Sequence, residues 1–103
     1  MRKKVVSVIG GRNCNKEVEQ LAQNLGKKLA KVADYLVCGG LGGVMKAVCK
    51  GFKASGGITI GIITSYDKKD ANPYVDIVIP TGLGLARNVL VVQTADIVIA
   101  LAG

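Results

Sequence analysis

Apolar positions along this chain fall into two patterns that alternate. Lys4 to Gly10 (Lys-Val-Val-Ser-Val-Ile-Gly) is β-branched and nearly continuous in its apolar character, as in a parallel strand buried on both faces. A loop over Gly10 to Asn15 follows. Val18, Leu21, Ala22, Leu25, Leu29 and Val32 then recur at spacings of three and four, which predicts a helix with one buried face, capped by Asn13 or Asn15. Tyr35 to Cys38 reads as a second strand. After a glycine run comes a helix that buries Val44, Ala47, Val48 and Phe52, exposes Lys46, Lys50 and Lys53, and stops at Ser55-Gly56-Gly57. Ile58 to Thr64 predicts a third strand, and Ser65 to Tyr74, with its lysines, aspartates, Asn72 and Pro73, a surface loop. Asp76 to Pro80 is a short fourth strand suited to a sheet edge, because Pro80 has no N–H to give a ladder. Thr81 to Gly84 leads into a helix over Leu85 to Thr94, and Ala95 to Leu101 is a fifth strand.

The order β-α-β-α-β-β-α-β with short connections predicts an α/β fold. It would be a Rossmann-like parallel sheet of about five strands with helices on both faces, in a single domain over residues 1–103. The segment around Val89, Leu90, Val91 and Val92 is apolar nearly all round, so it requires cover on more than one side. The last strand runs to Leu101-Ala102-Gly103, where a βα unit ordinarily supplies its next turn and helix. The expectation is therefore a sheet that is C-terminally incomplete or completed by a partner subunit.

Composition narrows the function classes. No apolar run approaches the roughly 20 residues that span a bilayer, and no signal-peptide pattern opens the chain, so a cytoplasmic location with no membrane is expected. There is no histidine, and Cys14, Cys38 and Cys49 fit neither a C-x-x-C motif nor a zinc knuckle, which disfavours a metal site or a histidine-based triad. Cys38 and Cys49 read as small buried apolar residues, and Cys14, in a loop, as the most exposed of the three. The net charge of +7 suggests a polyanion partner, yet the basic residues spread over Arg2 to Lys4, over Lys27, Lys28 and Lys31, and over Lys46, Lys50 and Lys53. They read as solvated surface. With four aromatics there is little surface for stacking bases, and nucleic acid fits poorly as a partner.

The candidate chemistry lies in Cys38-Gly39-Gly40-Leu41-Gly42-Gly43-Val44-Met45, between a strand and a helix. Glycines at such a junction present bare N–H groups to an anion at a helix N-terminus, where the macrodipole also favours negative charge. A tight turn with close helix packing is the plainer explanation, and it accounts for one or two glycines more readily than for four in five positions. In open parallel sheets the ligand crevice lies beyond the carboxyl ends of the strands. Gly10 to Asn15, Gly39 to Gly43 and the strand end at Ala102 and Gly103 would converge there, with Arg12 and Arg87 as nearby cations. The candidate phosphate- or nucleotide-binding residues are Gly10, Gly11, Arg12, Gly39, Gly40, Gly42, Gly43, Met45, Thr81, Arg87 and Asn88. Arg87 either reaches the crevice for a forked contact with phosphate or snorkels to solvent, and Thr81 either offers a hydroxyl or serves as a turn residue.

Two nucleotide fingerprints fail. Gly40-x-Gly42-x-x-Met45 lacks the third glycine of the dinucleotide motif, and no Gly-Lys-Ser or Gly-Lys-Thr of a P-loop occurs, which argues against NAD enzymes and ATPases. Asp34 and Asp96 precede strands at the far end of the sheet. Asp67, Asp70 and Asp76 flank a distal loop, and Glu17 and Glu19 suit the first turn of a helix. No carboxylate pair for acid–base work emerges.

Val8-Ile-Gly-Gly-Arg12, Cys38 to Met45, Gly82-Leu-Gly-Leu-Ala-Arg-Asn88 and Ala95 to Gly103 together resemble the LOG-type Rossmann-like family, formerly called lysine decarboxylase-like. The similarity is to its small prokaryotic branch, related to molybdenum-cofactor carrier proteins. The resemblance implies a phosphoribohydrolase that cleaves the N-glycosidic bond of nucleoside 5′-monophosphates, or a carrier that binds a pterin phosphate without turnover. It makes Arg87 the catalytic candidate, acting with a glutamate from a following Gly-Gly-x-Gly-Thr-x-x-Glu motif. The sequence reaches only the first glycine or so of that motif. The expectation is therefore a protein that binds a small phosphorylated ligand such as a nucleotide, inactive as a hydrolase in this form and requiring no cofactor. A molybdopterin carrier is the alternative, and an interaction protein using its basic helix faces is a third reading. A homodimer or higher homo-oligomer is the assembly the resemblance implies.

Overall fold

The computed structural model describes residues 2–101. Five strands, β1 (Val5–Ile9), β2 (Tyr35–Cys38), β3 (Ile58–Ile63), β4 (Ile77–Pro80) and β5 (Ile97–Ala100), form one parallel sheet in the order β4-β3-β2-β1-β5. The helices are α1 (Lys16–Leu29), α2 (Val44–Ala54) and α3 (Asn88–Thr94). This is the Rossmann-like α/β arrangement that the hydrophobic pattern predicts. Pro80 ends β4 at the sheet edge, as its missing N–H requires.

Side chains on successive strand residues point to opposite faces, and the chain fills both. Val6, Val8, Leu36, Cys38 and Ile63 pack with Val44, Val48 and Phe52 of α2 in one core. Val37 and Ile62 meet Val91 of α3 in a smaller one. Ser7, central in β1, sits on that second face and donates its hydroxyl to the Val91 carbonyl at 2.7 Å, which ties α3 to the sheet. The Asn15 side chain caps α1 by accepting the Val18 N–H at 2.9 Å.

Three expectations need correcting. Leu21 and Val32 are not buried; they are 56% and 62% exposed. Helix α1 ends before Val32, and it meets α2 along a narrow stripe at Ala22, Gly26 and Leu29. That stripe suffices because the backbones nearly touch: a Cβ at Gly51 would overlap the Gln23 carbonyl, and one at Gly26 would lie 2.8 Å from the Phe52 nitrogen. The predicted helix over Leu85 to Thr94 divides into a 3-10 turn over Gly84–Arg87 and then α3. On α3 only Val91 is buried, and the described residues leave Val89, Leu90 and Val92 exposed. The segment Ser65 to Tyr74 is mostly exposed, but Asn72 is buried.

The aspartates ahead of the strands share one task. Asp34 accepts the Lys4 N–H at 2.7 Å, Asp96 the Val5 N–H at 2.9 Å and Asp76 the Thr59 N–H at 3.0 Å, so each carboxylate pins the entry of a neighbouring strand. Burial alone would raise the Asp76 pKa, but the Thr59 N–H and the Lys53 ammonium, 2.9 Å away, outweigh it and hold the carboxyl below its usual range. A depressed folded-state pKa gives stability that is present above the unfolded value of about 3.9 and is lost as pH falls through the folded one. Acid titration should therefore show the chain losing stability below about pH 4, and Asp76→Asn should flatten that slope while lowering stability at neutral pH. An unchanged acid slope in the variant would remove Asp76 from this role.

Candidate functional site

A crevice of about 270 Å³ opens at the carboxyl ends of β1, β2 and β3, beneath the start of α3. Its wall includes Gly10, Gly11 and Arg12 after β1, Gly39 after β2, Met45 from α2, and Arg87 with Asn88. Leu85, Val91 and Val92 give one side an apolar surface. These are the segments that the sequence places together, except that Ala102 and Gly103 lie outside the described residues.

Arg87 dominates the crevice. It is only 4% exposed, so it does not snorkel. Its Nε donates to the Ile62 carbonyl at 2.9 Å, Nη1 donates to Asn88 Oδ1, and Nη2 lies 3.9 Å from Met45 Sδ. A guanidinium carries five N–H donors, and these contacts engage three of them. Among the described residues no carboxylate pairs with it; the ion pair there joins Lys53 and Asp76. Burial pulls the Arg87 pKa below its ordinary value, Cys38 opposes that pull, and Arg12 adds to it. Arginine nevertheless stays protonated at neutral pH. Among the described residues the crevice is thus lined by a buried cation without a carboxylate partner, an arrangement that costs stability in the free chain.

Gly39 lets the guanidinium come close. A Cβ there would overlap Arg87 Nη2 and stand 2.6 Å from Met45 Sδ, so the cation lies directly against bare backbone. The rest of the run does different work. Gly40 and Gly43 have φ of +74° and +62°, which other residues rarely adopt. At Gly43 a Cβ would also collide with the Gly11 and Arg12 carbonyls, and the Val44 N–H donates to the Gly11 carbonyl at 3.0 Å, so the loop after β1 is docked on the start of α2. Gly40, Gly42 and Gly43 are not part of the crevice wall. The plain packing explanation therefore accounts for Gly40 and Gly43, and Gly39 is the member of the run that meets Arg87. Thr81 also lies outside the wall. It donates to the Ile63 carbonyl at 2.7 Å and accepts the Leu83 N–H at 3.1 Å, holding the turn that leads toward α3.

Two features of the site escape sequence reasoning. Asn72 donates its side-chain amide to the Leu41 carbonyl at 2.8 Å and its backbone N–H to the Gly40 carbonyl at 2.8 Å, which staples the glycine run from a distant loop. The pair Asn72-Pro73 signals only a turn. Cys38 and Cys49 are buried, as expected, but their sulfurs are also 3.4 Å apart, linking the end of β2 to α2. The hydrogen bond from Cys49 holds the Cys38 thiol below its ordinary pKa against the effect of burial, and the Gly40 N–H and Arg87 add to that lowering. The same bond and burial push Cys49 up. Cys14 is half-buried.

Residues 3–103 match the SLOG cluster4 family. The chain belongs to that family. The LOG-type resemblance read from the glycine and arginine motifs is thereby borne out. An uncharacterized protein of Archaeoglobus fulgidus is 40% identical over 99 residues, which is 95% of this chain and 64% of that protein. Among solved structures, the molybdenum cofactor binding protein of the phototrophic bacterium Rippkaea orientalis superposes with a TM-score of 0.94 at 37% identity, over 100% of this chain and 64% of that one. The Moco carrier protein of Chlamydomonas reinhardtii does so with a TM-score of 0.87 at 33% identity, over 99% of this chain and 64% of that one. The chain spans less than two thirds of the length of each of these relatives. No helix among the described residues is long and apolar enough to cross a membrane.

Proposed function

We propose that this SLOG cluster4 chain binds a phosphate-bearing, nucleotide-like ligand in the crevice under α3. The observation that carries the proposal is Arg87, buried without a carboxylate partner among the described residues and set against Gly39. A phosphoryl group would supply the missing charge and accept the free N–H donors of the fork. The apolar side formed by Leu85, Val91 and Val92 suits a ring attached to that phosphate.

Binding rather than hydrolysis fits these residues. Glycosidic cleavage passes through an oxocarbenium-like state that needs a placed carboxylate, and no aspartate or glutamate among the described residues lines the crevice. A second reading takes the ligand to be a molybdenum-cofactor pterin phosphate carried without turnover. It is favoured by the likeness to the R. orientalis and C. reinhardtii proteins. For assembly, the exposed apolar residues Val89, Leu90 and Val92 support a second copy packing on α3.

Incubation with AMP tests the first reading. The chain should melt at a higher temperature with AMP or inorganic phosphate and should release no free base. Release of base would restore the hydrolase, and the absence of a thermal shift with any phosphate ligand would overturn the binding proposal. A fluorescent oxidised pterin that co-purifies from a host making the cofactor is the outcome expected of the second reading.

A further inference from the structure

Between α1 and α2 lies a second cavity of about 400 Å³. Its charged lining is three cations, Arg12, Lys46 and Lys50, against one acid, Glu19. Among the described residues none of the three cations has a carboxylate within ion-pair distance. Lys46 lies in the first turn of α2, which contains no acid, so its ammonium adds to the positive end of the helix dipole instead of offsetting it. Like charges gathered around a concavity repel one another, and an anion placed among them relieves that repulsion.

The cations form a row. Arg12 stands at one end, where its backbone carbonyl lies against Gly43 at the start of α2. Lys46 and Lys50 follow along the helix, one turn apart and on one face. At a rise of about 1.5 Å per residue, the row from Gly43 to Lys50 extends roughly 10 Å. A single phosphoryl group reaches one or two of these cations, whereas a linear chain of phosphoryl groups can lie against all three. The Tyr74 ring holds the far end of the row, with Lys50 Nζ 5.9 Å from its centre, and the Asn13 and Gln23 amides add neutral donors. We infer that this cavity binds a linear triphosphate, free or carried by a nucleoside, as an anion site separate from the Arg87 crevice. Lys46, Lys50 and Arg12 each take phosphoryl oxygens of their own. The contact of Gly11 and Arg12 with Gly43 divides the two cavities, and occupancy of one does not require the other.

Calorimetric titration at about 0.15 M salt tests this with inorganic phosphate, inorganic triphosphate and ATP. Triphosphate should bind at least about tenfold more tightly than phosphate. The double substitution Lys46→Ala and Lys50→Ala should erase that advantage; both side chains are exposed, so the fold should hold. Lys28→Ala with Lys31→Ala removes the same charge from exposed positions outside the cavity and should keep the advantage, which separates the site from bulk attraction. Arg87→Met should keep it too. On that variant, ATP binding more tightly than inorganic triphosphate would make the ligand a nucleoside triphosphate, and equal or weaker binding would make it a free polyphosphate. Equal affinity for phosphate and triphosphate would overturn the inference. So would an advantage that survives the substitutions at Lys46 and Lys50, an equal loss in both lysine pairs, or its loss in Arg87→Met.

Discussion

Arg87→Met is expected to weaken binding of AMP by roughly a hundredfold, while moving the melting temperature of the ligand-free chain by no more than about 5 °C in either direction. The two halves of this result come from the same fact. A buried guanidinium without a carboxylate is held at a cost, and an apolar side chain of similar length in its place is often neutral or stabilising. Against that gain stands the Ile62 carbonyl, which loses its donor and with it about 1 kcal/mol or somewhat more. The opposing effects nearly cancel in the free chain but not in the complex, where the phosphate would lose the buried cation it rests on. A collapse of the melting temperature would make Arg87 a structural residue. Unchanged affinity would place the anion elsewhere.

Gly43→Ala is expected to destabilise the chain by roughly 2 to 4 kcal/mol, whereas Gly42→Ala should stay within about 1 kcal/mol of the parent. The two glycines are neighbours in one run, but their surroundings differ. Gly43 is in the left-handed region, and a Cβ there would strike backbone carbonyls of Gly11 and Arg12 that cannot move without lifting the whole loop from α2. At Gly42 a Cβ would meet only the Arg12 carbonyl, at 3.3 Å. Urea unfolding of the two variants measures the difference. Equal stabilities would mean that the loop after β1 is not docked on Gly43. Because that loop carries Gly10, Gly11 and Arg12 into the crevice, the folded fraction of Gly43→Ala should also bind AMP more weakly.

Much of the fold was legible because the two hydrophobic periods are clean. The continuous apolar strands mark a sheet covered on both sides, and Pro80 marks its edge. The misjudged positions have physical causes. The contact between α1 and α2 rests on Gly26 and Gly51, and such a backbone approach leaves Leu21 outside although the spacing includes it. Arg87 stayed ambiguous because its neighbours are apolar all round. Its direction is set by the 3-10 turn over Gly84–Arg87, whose three residues per turn break the phase of the α-helical pattern that follows. The glycine run pointed to the end of the sheet where the crevice opens, yet periodicity could not say that Gly39 meets the guanidinium while Gly40 and Gly43 make the turn. Asn72 bonding to Leu41, and Cys49 bonding to Cys38, are tertiary pairings that local pattern does not encode.

A phosphate-bearing ligand seated on Arg87 and Gly39 should be visible in a nitrogen–proton NMR titration of the labelled chain with AMP. Saturable shifts are expected in the Arg87 Nε–H signal and in the backbone amides of Gly10, Gly11 and Gly39, with the amides at the far ends of the strands, near Asp34 and Asp96, unmoved. Saturation with the Arg87 and Gly39 signals unchanged would contradict that placement.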